Sequence, residues 1–164
     1  MNQKRLICLR ILLILLTITV MVVIFMLSAD DADASKAKSE VISDSLIYRI
    51  LASFDWNEEQ TEKITHITVK IVRKTAHFSE YALLGMLLTG VCLSFGKQYD
   101  VTFAVSQGVS SLYAVSDELH QYFVPGRSCQ LSDMVLDSCG AAVGIGILLL
   151  IVWLIRRRRR CAPQ

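Results

Sequence analysis

Apolar residues run almost unbroken from Leu6 to Leu27, with Arg10 the sole charge among them. At about 1.5 Å of rise per residue such a helix crosses a hydrocarbon core of about 30 Å. The same pattern recurs, with more polar interruptions, over about 76–95, 102–123 and 131–155. The third of these is the weakest by hydropathy. Its Gln107, Ser110, Ser111, Asp117, Glu118 and Gln121 predict a helix enclosed by the others, because polar groups in a membrane bundle point inward. The pattern therefore predicts an all-α, polytopic membrane protein with four transmembrane helices in one bundle, a single domain over 1–164.

Between the first two spans lies a polar stretch of about 28–75. Asp30 to Ser39 reads as a linker, and Val41 to Leu51 carries apolar residues at helical spacing. A second helix is predicted to begin near Asp55 or Asn57, where a capping residue precedes Glu58 and Glu59, with Ile64, Ile67, Ile71 and Val72 as its stripe. One or two short amphipathic helices in this loop would then lie on the membrane surface or roof the bundle.

Composition supports the membrane reading: 53% of the residues are hydrophobic, and the mean hydropathy is +0.47. The net charge of +2 says little, but its placement says more. Lys4, Arg5 and Arg10 crowd one end and Arg156 to Arg160 the other, in a basic tail over 156–164. An excess of Lys and Arg at both ends predicts cytoplasmic termini, places 28–75 and the turn 124–130 outside, and makes anionic lipid, not nucleic acid, the partner of the tail. The first span is too long for a signal-peptide core, and Leu27 suits cleavage after Ala29 poorly. The five cysteines, Cys8, Cys92, Cys129, Cys139 and Cys161, show neither a disulfide framework nor a zinc-ligand spacing. Cys92 and Cys139 read as small packing residues and Cys129 as the accessible thiol.

Ionisable side chains at membrane depth cost about 2.5–3.5 kcal/mol each on insertion scales, so those present need partners, water or a task. Arg73, His77, Glu80, Tyr81 and Leu84 follow three- and four-residue steps and share a face at the start of the second span. Gln107, Ser110, Ala114, Asp117 and Gln121 form a stripe in the third, with Glu118 at its edge. Asp133 and Asp137 open the fourth, one turn apart and on the face of Gly140 and Gly144, whose spacing lets another helix backbone approach. In the predicted topology these three ends meet at the outer boundary. There the acids gather under Arg73, Lys74 and Arg127, the last aimed back by the turn Val124-Pro125-Gly126-Arg127. Plainer roles exist for several of them. Arg73-Lys74 suits an interfacial anchor, Asp133 a helix cap and His77 a packing histidine. Glu80, Asp117, Glu118 and Gln121 have no such role.

Arg73-Lys74-Thr75-Ala76-His77-Phe78-Ser79-Glu80-Tyr81, then Ser116-Asp117-Glu118-Leu119-His120-Gln121-Tyr122-Phe123-Val124-Pro125-Gly126-Arg127, then Asp133 followed by Gly140 and Gly144, together resemble the VanZ-like family, over about 6–150. The resemblance implies a multi-pass protein of the bacterial plasma membrane, in a family whose founding member is associated with reduced susceptibility to the glycopeptide teicoplanin. It places the characteristic polar positions at Arg73, Lys74, His77, Glu80, Asp117, Glu118, Gln121, Arg127 and Asp133. The chain departs from the family after the first span, where Leu27-Ser28-Ala29-Asp30 stands in place of a Ser-Ser-Gln type motif.

Three functions fit these residues. In the first, the cluster receives the polar head of an envelope lipid, a wall precursor or a lipophilic glycopeptide at the outer leaflet, with no cofactor. In the second, His77, Glu80, Asp117 and Asp133 hold a divalent metal, or two carboxylates act as acid and base, in an intramembrane enzyme acting on a lipid-linked substrate. In the third, the charges fix helix register, as in a subunit of an envelope complex. No Gly-rich phosphate loop, serine nucleophile elbow or dinucleotide fingerprint is present.

Overall fold

A computed structural model describes residues 3–29, 37 and 58–161. These contain four long helices and no strands: α1 (Gln3–Ser28), α2 (Glu58–Ser94), α3 (Tyr99–Gln121) and α4 (Leu131–Cys161). Three contain stretches long and apolar enough to cross a membrane, namely Gln3–Ser28, Glu62–Ser94 and Leu131–Arg158. The described part of the chain is thus of the all-helical class and built as in a membrane protein. The predicted helix over 41–51 and the linker over 30–39 lie outside the described residues.

The predicted short helix carrying Ile64, Ile67, Ile71 and Val72 is not a separate element. It is the amino-terminal part of α2, a single helix of 37 residues. No proline or glycine occurs between Glu58 and Tyr81 to interrupt the backbone ladder, and the change from a charged to an apolar sequence near Thr75 alters what surrounds the helix, not its hydrogen bonding.

Successive helices run antiparallel, and α2 packs on all three others, most extensively on α4. That seam is made by small residues. A Cβ on Gly140 or Gly144 would collide with the carbonyl oxygens of Phe78 and Ala82, and one on Gly85 would stand 2.5 Å from the Ala141 carbonyl oxygen. Ile24, Tyr81, Leu84, Ala114 and Ala141 form the core, drawing on every helix.

The end opposite the acidic cluster is closed locally. Gly96, at φ 74°, ends α2, with Lys97 N–H donating to the Cys92 carbonyl at 3.3 Å and Gly96 N–H to the Leu93 carbonyl at 3.0 Å. Arg10 donates through Nε and Nη2 to the Ser94 carbonyl, at 3.1 and 2.8 Å, and lies over the Phe95 ring. The one charge in the first apolar run thereby serves the carboxyl end of α2.

α3 is not enclosed as its polarity predicts. Thr102, Ser106, Ser110, Asp117, Glu118 and Gln121 are buried, whereas Phe103, Val109, Leu112 and Leu119 are exposed. It is an inside-out amphipathic helix, and its low hydropathy comes from the face turned toward α2 and α4.

Candidate functional site

The carboxyl end of α3, the loop after it and the first turns of α4 meet the middle of α2 around a cavity of about 120 Å³. Its walls include Arg73, Lys74, His77, Glu118, Gln121, Arg127 and Asp133, so most of the predicted cluster does converge. Glu80 and Asp117 do not line it.

The loop is set by its turn. Arg127 N–H donates to the Val124 carbonyl at 3.2 Å, and Gly126 has φ 75°, the positive φ expected after Pro125 in a type II turn. Glu118, 1% exposed, accepts the Gln130 N–H at 3.0 Å and so ties the loop to α3. Arg127 reaches back toward α1, with Nη2 at 3.5 Å from the Leu27 carbonyl.

Asp133 is not a helix cap. It lies in the first turn of α4, accepts from Lys74 Nζ and thereby joins α4 to α2. This ion pair is partly exposed, and its worth is of the order of 1 kcal/mol or less. Asp117 is held from α1: Ser28 Oγ donates to Asp117 Oδ2 at 2.8 Å, and Gln121 Nε2 donates to the same oxygen at 3.2 Å and to Ser28 Oγ at 3.3 Å. Ser28 was missed as a site residue because its significance lies 89 residues away. The departure from the family pattern at 27–30 is its only sequence signal.

The group of residues placed so that it could hold a metal also differs from the expected one. Among the described residues, ligand atoms of His77, Asp117 and Asp137 all lie within 4.8 Å of one another. Glu80 and Asp133 are not in that group, and Asp133 is occupied by Lys74. Asp137 enters because Gly140 and Gly144 fix which face of α4 meets α2. Gly140 lies on Phe78, so a residue one turn earlier on that face falls beside His77.

One cysteine departs from expectation. Cys139 is exposed on α4, not packed, while Cys92 is partly buried near Ser106. His120 stacks on Phe25 with ring centroids 4.3 Å apart, and His66 is exposed on α2.

Arginine, lysine, histidine and paired acids at the mouth of an apolar helix bundle are the features that the resemblance rests on, now found around one cavity. Residues 13–153 match the VanZ/LLP1 family. The chain belongs to the VanZ/LLP1 family. The matched range takes in α2 and α3 whole, most of α1 and α4, and the whole cavity lining. No match was found among curated proteins or among solved structures.

Proposed function

We propose that this VanZ/LLP1-family protein binds the anionic headgroup of an envelope lipid, or of a lipid-linked wall precursor, at the outer face of the bacterial plasma membrane. In this reading α3 is a fourth crossing, both termini are cytoplasmic and the cavity opens outward. The exposed apolar side of α3 supports the crossing: Leu112 is 72% exposed and Leu119 53%. The amino-terminal part of α2 then leaves the hydrocarbon, since 37 residues make a helix of about 55 Å against a core of about 30 Å.

The observation that carries the reading is the lining of the cavity, where Arg73, Lys74 and Arg127 share one small space with the amides of Gln121 and Gln130. Guanidinium groups grip phosphate and carboxylate in two-pronged fashion. The volume of about 120 Å³ is that of about four waters at about 30 Å³ each. That suits a phosphate or a small polar head. A whole glycopeptide does not fit, so any effect on teicoplanin would act through the lipid that the protein handles or through one polar end of the drug.

The test is binding of a fluorescent polyprenyl phosphate by the purified chain. Arg73→Ala and Arg127→Ala should each weaken binding tenfold or more, because a hydrogen bond to a charged group is worth about 1.5–3 kcal/mol. Folded variants that bind as tightly as the wild type would remove the proposal. Teicoplanin susceptibility relative to vancomycin, at equal membrane abundance, extends the same comparison to cells.

A second reading, that the charges fix helix register, is favoured by the Lys74–Asp133 pair and the Ser28–Asp117 bond, which tie α2 to α4 and α1 to α3. Under it Asp117→Asn and Arg127→Gln yield unfolded chain. Under headgroup binding they yield folded protein with impaired binding.

A further inference from the structure

Below the cations, the cavity reaches a carboxylate that no described residue satisfies, and a second, partly satisfied one stands beside it. Asp137 lines the cavity and is 0% exposed, yet neither of its carboxylate oxygens has a hydrogen-bond partner among the described residues. Asp117, 2% exposed, gives Oδ2 to Ser28 and Gln121 and leaves Oδ1 without a partner. His77 supplies a ring nitrogen to the same place, and the three ligand atoms lie within 4.8 Å of one another. Lys74, the nearest lysine on α2, is committed to Asp133.

We propose that His77 and Asp137, which line the cavity, and Asp117 beside them bind a divalent transition cation. Nitrogen and oxygen ligands about 2.0–2.2 Å from an ion stand roughly 3–4 Å from one another, so small rotamer adjustments bring these three into coordination. One imidazole with two carboxylates suits zinc or manganese better than magnesium or calcium, which favour all-oxygen shells. The hydrogen bonds from Ser28 and Gln121 hold Asp117 through one oxygen and leave the other without a partner, an outer shell of the kind that would orient a metal ligand. Three protein ligands leave coordination positions directed into the cavity. A cation also answers the question that the fold raises, since two buried carboxylates side by side need a counter-charge or shared protons. The site uses residues of α2, α3 and α4 and stands whether or not the cations above it grip a headgroup.

The experiment takes the full chain in detergent, stripped with a chelator, and titrates it with Zn²⁺ or Mn²⁺ alone. One saturable equivalent per chain is expected. Asp137→Asn and His77→Ala should each weaken it at least tenfold, Ser28→Ala about tenfold through the outer shell, and His66→Ala, on the exposed part of α2, not at all. Bound Mn²⁺ should show imidazole-nitrogen coupling by pulsed electron paramagnetic resonance, a readout from the wild type that needs no variant to fold. Arg73→Ala and Arg127→Ala should keep the ion while losing lipid, which separates this proposal from headgroup binding. Absence of a saturable equivalent at millimolar ion, absence of nitrogen coupling, or unchanged affinity in folded Asp137→Asn would overturn it, and the carboxylates would then be sharing protons.

Discussion

Ser28 and Asp117 meet across the bundle, and their hydrogen bond sets how the acidic cluster divides its labour. With Oδ2 held by Ser28 and Gln121, Asp117 is oriented while one oxygen stays without a partner. Asp133 and Glu118 are used differently, the first by Lys74 and the second by the Gln130 backbone. Acids of one chemical type thus hold a helix, hold a loop, or keep unpartnered oxygens beside His77. Removing the hydroxyl in Ser28→Ala leaves the carboxylate one donor short in a buried setting. A loss of about 1 kcal/mol in unfolding free energy is expected, between the small values for polar contacts in membrane bundles and those for charged acceptors in water. Denaturant titration in mixed micelles measures it, and an unchanged midpoint would mean that water replaces the hydroxyl.

Helix contacts translate such residues into a site. The α2–α4 seam brings backbone against backbone at Gly140 and Gly144, so the rotation of α4 about its axis is fixed to within the width of a methyl group. Gly144→Ala puts a Cβ into the Ala82 carbonyl and should destabilise the chain by about 1–3 kcal/mol, the usual cost of overpacking. The same change at Gly108 or Gly146, where an added Cβ meets nothing within 4 Å, should be neutral or stabilise by up to about 1 kcal/mol through helix propensity. Thermal melts of the three variants decide it. Equal shifts in all three would mean that the seam is looser than its geometry. The loss of metal or lipid binding in Gly144→Ala would follow from the same displacement, because Asp137 and Asp133 ride on α4.

At the scale of the molecule, four helices enclose polarity and expose hydrocarbon. Exposed side chains such as Leu12, Met26, Leu112 and Leu150 cover the outside, while Asp117, Glu118 and Asp137 are buried. This is the inverse of a water-soluble bundle and follows from its solvent: lipid tails make no demand that apolar groups be hidden, but they do demand that polar ones be. The proposed orientation is open to a labelling experiment. Cys129, in the loop beside the cavity, should react with a membrane-impermeant maleimide in intact cells, whereas Cys8, near the basic amino terminus, should react only after permeabilisation. The opposite pattern would turn the cavity toward the cytoplasm and exclude an outer-leaflet ligand.

Local patterns settled much of this. Apolar run length specified helix over about 6–27 and 131–155, which α1 and α4 extend at their charged ends, and three- and four-residue steps gathered Arg73, His77, Asp117, Gln121 and Asp133, because the helical repeat alone determines which residues share a face. Pro125 and Gly126 specified the turn, since their allowed dihedrals are properties of the residues themselves. Tertiary structure decided the rest: that 58–94 is one helix, that α3 keeps an exposed apolar side, that Ser28 serves Asp117, and that Asp137, not Asp133, stands with His77. A helical repeat fixes faces relative to one axis only. Which face meets which neighbour depends on the approach of backbones at glycines, and a partner 89 residues distant leaves no mark in the spacing around Ser28.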